Sequence, residues 1–315
     1  MDGAAQPLSF GQILDRTFRL CHANLKNFVV ISLVPTAGLV ITVLGMAGTL
    51  FLFLRPDRGT LQQMSALQIT ITVAVFVLGM IVLMVVYSIY QPAVSYAALQ
   101  SNLGIQITPG DAYAKTWSNC GRYIGLTLLK ALIVSGPTYG ILCLVAAGFA
   151  LRSRMGNSDW TGFLLVTVPL SMLIYVASMV YSVFMMIRLA LAVPACVAED
   201  QPVRAAIKRS FRLSRGAMGR IFLMGLVIYA IGCAAMMVFE VVAWILMAIG
   251  ALIFALMHLD HVAQIVLGSI FGAFFMAGYV LLMGALWSAF SVSFTLIYHD
   301  QCLRIDPRPE PEPVA

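Results

Sequence analysis

The stretch from Pro202 to Arg220 reads PVRAAIKRSFRLSRGAMGR and stands immediately before a long apolar run. Wound as a helix at about 100° per residue, it places apolar and small side chains on one face and cations on another. The cations of this stretch are Arg204, Lys208, Arg212 and Arg215, with Arg209 beside them. The pattern predicts a basic amphipathic helix that lies on a membrane surface and leads into a spanning helix.

The composition is that of a polytopic membrane protein. Hydrophobic residues make up 61% of the 315 residues and charged residues only 10%, whereas a soluble domain carries about 25% charged residues. Since about 20 apolar residues form one span, the apolar runs predict an all-α transmembrane bundle of six spans. We place the spans at 28–54, 69–90, 123–151, 163–193, 221–249 and 263–298. The alternative for the second span is that it continues past Gln91-Pro92 to Leu99.

Several local features qualify this plan. We expect Gly136-Pro137 to interrupt the third span, and a turn or an interfacial segment to follow the fifth span at about Ile249. Residues 306–315 are rich in Pro and Glu, which predicts a disordered tail. Two further surface helices have start signals, because Ser9 with Gln12 forms a capping box and Thr108 precedes a Pro and an acid.

Two short motifs recur three times. One is a cation, a Ser or Thr and an aromatic, at residues 16–18, 115–117 and 209–211; the other is an aromatic, Ser, any residue and an aromatic, at 87–90, 181–184 and 287–290. They predict one domain over residues 1–305, built from units at about 8–100, 108–198 and 200–305. Each unit is a surface helix followed by a two-span hairpin. Repeats of this kind occur in transporters and in duplicated scaffolds alike.

The cations are distributed asymmetrically about the predicted spans. Fifteen of the 19 lysines and arginines fall on the side of the surface helices and four on the other. By the positive-inside rule, both termini and all three surface helices are cytoplasmic. The net charge of +6 therefore predicts contact with anionic headgroups of the cytoplasmic leaflet rather than with nucleic acid.

Two further cations lie inside predicted spans, near their inner ends. Lys130 and Arg188 are placed to bind a lipid phosphate or, alternatively, to extend their side chains to the headgroups. The full set of candidate contacts for lipid phosphate or a protein partner is Lys130, Arg188, Arg204, Lys208, Arg209, Arg212 and Arg215. A protein partner would meet the same basic surface.

No catalytic motif is present in the sequence. Glu240 is an acid within the fifth span, about 30 Å from Arg220, and its role is left open between a functional group and a residue at the outer boundary. His258, Asp260 and His261 are too few for a zinc site and predict a solvated outer loop. We expect no metal, no cofactor and no enzymatic activity.

The chain resembles the membrane-domain family named after glycerophosphoryl diester phosphodiesterase. The resemblance rests on Pro194, Glu199, the helix from Pro202 to Arg215 and the closing sequence Tyr298-His299-Asp300-Gln301-Cys302-Leu303-Arg304, similar to that family's Tyr-x-Asp-x-x-x-Arg. It extends loosely over residues 8–305. The chain has no room for the phosphodiesterase domain that some members carry. The resemblance implies a bacterial inner-membrane protein of about six spans, without catalytic residues.

The sequence therefore predicts a non-enzymatic protein of the bacterial inner membrane. It would act as a scaffold or accessory protein in an envelope or lipid-related process. The alternative is a transporter or lipid-handling channel with a site between the three repeats.

Overall fold

The computed structural model describes residues 8–53, 66–154, 160–256 and 261–305. In these residues the chain forms ten α-helices and no strand. The four short helices are α1 (Phe10–Ala23), α4 (Pro109–Trp117), α7 (Ala192–Ala198) and α8 (Val203–Ser214). The six long helices are α2 (Leu25–Phe53), α3 (Ala66–Asn102), α5 (Cys120–Arg154), α6 (Trp160–Leu189), α9 (Met218–Leu256) and α10 (His261–Ile305).

Each of the six long helices is long and apolar enough to cross a membrane. They pack as the hairpins α2/α3, α5/α6 and α9/α10. At 1.5 Å per residue, the 45 residues of α10 measure about 67 Å, more than twice the ~30 Å hydrocarbon layer. The long helices therefore have length to extend beyond the bilayer core. The predicted all-α, six-span transmembrane fold is confirmed.

The hairpins contact one another in order. The second helix of each packs against the first helix of the next: α3 against α5, α6 against α9, and α10 against α2. In addition, α3 contacts α10 directly. A threefold repeat would produce such an order of neighbours, but the repeat itself, with its three units, stays a prediction.

The described core lies at one end of the bundle, which we call the basal end. The basal end comprises α1, α4, α7 and α8 with the adjoining ends of the long helices. Its fully buried side chains come from nearly every element, and they include Ile13, Phe28, Val94, Leu126, Leu191, Leu213, Ile221 and Leu296. By contrast, many apolar side chains farther along α9, such as Met237 and Trp244, are exposed, as lipid-facing residues would be.

Two predicted helix breaks are wrong. The α5 helix passes through Pro137 without interruption, and α9 continues beyond Ile249 to Leu256. Proline removes one backbone hydrogen bond, but transmembrane helices tolerate this loss because neighbouring groups satisfy the freed carbonyl. The helix α6 ends at Leu189, and α7 begins separately so that Pro194 lies in its first turn. The apolar stretch of the fourth span continues through α7 to Ala198.

The predicted starts of the first two surface helices are confirmed. The Ser9 hydroxyl accepts from Gln12 N–H, and the Gln12 side chain accepts from Ser9 N–H at 2.7 Å. Thr108 and Asp111 form the same reciprocal pair at the start of α4. Hydrogen bonds from the Thr108 hydroxyl and then from its backbone N–H lower the pKa of Asp111. Residues 55–65, which follow the predicted first span, and the tail at 306–315 lie outside the described residues. Of the outer loop predicted at 258–261, only His261 is described, and it begins α10 instead.

Two glycines allow α2 to approach its neighbours closely. A Cβ at Gly284 of α10 would lie 2.6 Å from the Cβ of Ser32 and nearer still to its hydroxyl. A Cβ at Gly79 of α3 would collide with the Thr42 methyl group. Ser32 is buried and has little room to move, so Gly284 is required by packing.

Gly284→Ala is expected to destabilise the protein by about 1–3 kcal/mol, because the added methyl forces α2 and α10 apart. The measurement is the unfolding midpoint of detergent-purified protein. Gly140→Ala is the matched control, since nothing lies within 4 Å of a Cβ there and alanine favours helix. Equal midpoints for the two variants would contradict the close α2–α10 contact.

Candidate functional site

The α8 helix has one buried and one exposed face. Its buried residues are Ala206, Ile207, Ser210, Leu213 and Ser214. Its exposed residues include the cations Arg204, Lys208, Arg212 and Arg215. Burial of the apolar side fixes the orientation of the helix, so these four cations of the opening stretch are presented outward together.

Arg209 differs from the other cations of α8 because it points inward. Its Nε donates to Glu199 Oε1 at 3.0 Å, and the two side chains are only 11% and 14% exposed. Tyr298 Oη donates to the same oxygen at 2.5 Å, and Gln201 Nε2 donates to Oε2 at 2.6 Å. We call these four side chains the Glu199 cluster. It ties α8 and the segment after α7 to the last turns of α10.

A second carboxylate, that of Asp300, lies on α10 two residues after Tyr298. The Asp300 side chain is 0% exposed, and its Oδ2 accepts from Arg220 Nη1 at 2.6 Å and from Arg304 Nε at 2.9 Å. Its Oδ1 accepts from the Leu8 backbone N–H at 2.7 Å. Both arginines also donate to the Leu8 carbonyl, Arg220 at 3.2 Å and Arg304 at 2.9 Å. We call this arrangement the Asp300 clamp.

The Asp300 clamp joins three distant parts of the chain. Leu8 lies just before α1, Arg220 in the first turn of α9, and Asp300 and Arg304 near the end of α10. Because both backbone groups of Leu8 are held, the entry to α1 is fixed against α10. A buried carboxylate with several donors of this kind is strongly stabilised relative to one left unpaired.

Arg122 holds the turn before α8. Its Nη1 donates to the Asp200 carbonyl at 2.7 Å, and its guanidinium also pairs with the Asp200 carboxylate. Asp200 has a φ of 51°, a left-handed conformation that costs a non-glycine residue about 1–2 kcal/mol. The bonds from Arg122 help to offset that cost and connect the turn to α5.

The α4 helix is tied to the first hairpin. Tyr113 Oη donates to the Ile31 carbonyl at 2.6 Å, and Asn27 Nδ2 donates to the Ile107 carbonyl at 3.3 Å. Burial raises the pKa of Tyr113 above its ordinary value, so the hydroxyl stays a donor. The short helices α1, α4 and α8 are thus each fastened to a long helix.

The hydroxyl residues of the first repeated motif share one environment. Thr17, Thr116 and Ser210 are each 0% exposed. The two threonines donate to carbonyls one turn earlier in their own helices, at 2.8 Å and 3.0 Å. Ser210 instead donates to the Arg188 carbonyl at 2.6 Å and so joins α8 to α6.

The remaining candidate residues are not part of these two clusters. Lys130 and Arg188 are half-buried on α5 and α6. Glu240 is exposed on α9, with no hydrogen bond or ion pair to any described residue. His258 and Asp260 lie outside the described residues. In the part of the chain that is described, no three His, Cys, Asp or Glu side chains form a group able to hold a metal.

No family model, curated protein or solved structure matches this chain. The resemblance to the membrane-domain family of glycerophosphoryl diester phosphodiesterase therefore stays a prediction. Several residues quoted for that resemblance lie in the two arrangements described above. Glu199, Arg209 and Tyr298 belong to the Glu199 cluster, and Asp300 and Arg304 belong to the Asp300 clamp.

Asp300→Asn is expected to destabilise the protein by about 3 kcal/mol, because it removes the charge that pairs with two arginines. It should also speed proteolytic cleavage at the entry to α1, since the two arginines that donate to the Leu8 carbonyl lose the carboxylate charge that holds them. The measurements are the unfolding midpoint and limited proteolysis in detergent. Asp15→Asn is the control, because its pair with Arg19 is exposed and is worth less than about 1 kcal/mol. Matching cleavage rates in the two variants would count against the clamp.

Tyr298→Phe is expected to destabilise the protein by about 1–2 kcal/mol, because a hydrogen bond to the Glu199 carboxylate is lost. Tyr139→Phe removes the same atom from a side chain that is 67% exposed and should leave stability nearly unchanged. Both are measured by unfolding midpoint under identical detergent conditions. A Tyr298→Phe variant as stable as Tyr139→Phe would show that the Glu199 cluster contributes little.

Proposed function

We propose that this chain is a non-enzymatic scaffold or accessory protein of the bacterial inner membrane, in an envelope or lipid-related process. Its basal end would serve as a basic platform on anionic headgroups of the cytoplasmic leaflet. A protein partner in that process would dock on the same platform. Both termini are cytoplasmic in this proposal.

The exposed basic face of α8 is the observation that carries the proposal. Arg204 and Lys208 are exposed on this face, Arg215 is exposed directly after the helix, and the opposite face of α8 is buried in the core. The Glu199 cluster and the Ser210 bond hold α8 against α10 and α6. The cations are therefore presented by a fixed helix, which reduces the entropy lost on binding.

The proposed orientation follows from charge. Arg204, Lys208, Arg209, Arg212, Arg215, Arg220 and Arg304 all belong to the basal end, and the positive-inside rule favours the cytoplasm for such an end. Anionic lipids attract basic residues near the surface by about 1 kcal/mol each. The exposed cations of α8 would then meet headgroups rather than water alone.

The alternative, a transporter or lipid-handling channel with a site between the three repeats, stands second. It needs polar side chains that meet between the hairpins. Where α3 contacts α10, Tyr90 and Ser288 bond to each other at 3.0 Å, and Val94 and Val292 nearby are fully buried. These polar groups satisfy each other within a packed contact, which favours a structural role for them.

The lipid role is tested with the full chain in phosphatidylcholine bilayers that contain a minority of spin-labelled phosphatidylglycerol. The quadruple variant Arg204→Gln, Lys208→Gln, Arg212→Gln, Arg215→Gln is expected to lower the preference of the protein for phosphatidylglycerol about fivefold or more, since about 1 kcal/mol is available per cation. High salt should lower the preference of the wild type similarly.

The control for this experiment is Arg152→Gln with Arg154→Gln, which removes charge from the opposite end of α5. It should leave the preference for phosphatidylglycerol nearly unchanged. A quadruple variant with the preference of the wild type would contradict the proposed platform.

A further inference from the structure

Lys130 lies on the face of α5 that packs against α6. Four residues before it, Leu126 is 1% exposed. Four residues after it, the Val134 carbonyl accepts from Ser182 Oγ of α6 at 2.8 Å. Thr138, four residues after Val134, donates its hydroxyl to Ser178 Oγ of α6 at 3.3 Å. Residues four apart share a helix face, so Lys130 stands at the α5–α6 contact.

Arg188 lies at nearly the same level. The Ser182–Val134 bond sets the register of the two helices. Lys130 is four residues from Val134 and therefore lies about 6 Å nearer the basal end than Val134 does. Arg188 is six residues from Ser182 and therefore lies about 9 Å nearer the basal end than Ser182 does. The two cations therefore differ in level by only about 3 Å along the helices.

The guanidinium of Arg188 lies where α6 meets α8. It is over the ring of Phe184 at 4.9 Å and that of Phe211 of α8 at 5.6 Å. Its Nε is buried and has no hydrogen-bond partner in the described residues. Stacking on aromatic rings stabilises the cation and orients it, but the rings supply no acceptor for its N–H groups.

Among the described residues, Lys130 and Arg188 have no carboxylate partner, unlike four other cations of the basal end. Arg122, Arg209, Arg220 and Arg304 each pair with an acid. Within the described chain, neither Lys130 nor Arg188 forms an ion pair. A half-buried cation without an anion is costly in apolar surroundings, so an anion from outside the chain fits this pair.

The surroundings of the pair favour a lipid as the source of that anion. Lys130 lies about 12 Å farther from the basal end than Arg122. On the same faces as the two cations, Ile133 and Val134 of α5 and Phe211 of α8 are partly buried apolar residues, and Phe184, one turn before Arg188 on α6, is exposed. Apolar side chains around a cation pair match acyl chains below a phosphate, whereas free phosphate gains nothing from them.

We propose that Lys130 and Arg188 bind the phosphate of one anionic phospholipid in the groove where α5, α6 and α8 meet. This inference rests on the proposed function for its orientation, because it assigns the groove to the cytoplasmic leaflet. It goes further in naming a single defined lipid site, distinct from the diffuse basic face of α8.

The site is tested by native mass spectrometry of the delipidated full chain, titrated separately with phosphatidylglycerol, phosphatidylcholine and inorganic phosphate. We expect one tightly retained phosphatidylglycerol per chain. In Lys130→Gln with Arg188→Gln its dissociation constant should rise about tenfold or more, since two charge-assisted contacts are lost. Lys130→Arg with Arg188→Lys keeps both charges and should keep the lipid.

The matched control is Arg152→Gln with Arg154→Gln, which removes two charges from the opposite end of α5 and should retain the tight lipid. The two proposals are separated by their variants, because the variant of the α8 platform is tested by lipid preference in bilayers and the groove variant by retention of one lipid. Equal phosphatidylglycerol binding by the groove variant and the wild type would overturn the site. Displacement of the lipid by inorganic phosphate would overturn the assignment to a lipid.

A second measurement uses the unaltered chain and so does not depend on how the variants fold. Phosphatidylglycerol with a photoreactive acyl chain is cross-linked to the protein, and the modified peptides are mapped. Cross-links are expected at residues 128–132 and 184–188. Cross-links spread evenly over the helices, or absent from both segments, would overturn the proposal.

Discussion

The carboxylate of Asp300 is completely buried, and the arrangement of the basal end depends on how its charge is neutralised. An unpaired carboxylate in such surroundings costs several kcal/mol, so the folded state must bring donors to it. Arg304 comes from the same helix, but Arg220 comes from the start of α9 and the Leu8 N–H from the segment before α1. One buried charge thus fixes where the first and last parts of the chain meet.

The Glu199 cluster extends the same principle to the other side of α10. Tyr298 precedes Asp300 by two residues, so the two side chains project from different faces of α10. Glu199 collects donors from Tyr298 and Arg209 and holds α8 in place. As a result Arg209 is used inside the protein, while Arg204 and Lys208 remain exposed. Internal pairing and the outward basic face are two consequences of one packing arrangement.

Apolar runs and helix caps in the sequence predicted most of the fold. The ion pairs between distant residues could not be predicted from such local patterns. Apolar runs set the six spans, and the Ser9 and Thr108 caps lie within three residues of their partners. The break expected at Pro137 did not occur because a helix in apolar surroundings keeps its remaining backbone bonds. Asp300 and Arg220 are 80 residues apart, and no sequence period relates them. Arg209 was grouped with the surface cations because its buried partner Glu199 precedes the helix.

Asp300 and Arg220 should stabilise the protein together rather than independently, because they meet in one buried network. A double-mutant cycle with Asp300→Asn, Arg220→Gln and the double variant measures this coupling from unfolding free energies in detergent. We expect a coupling of about 1–3 kcal/mol, as is typical of contacting residues in one buried network. Additivity of the two single variants to within about 0.3 kcal/mol would contradict it.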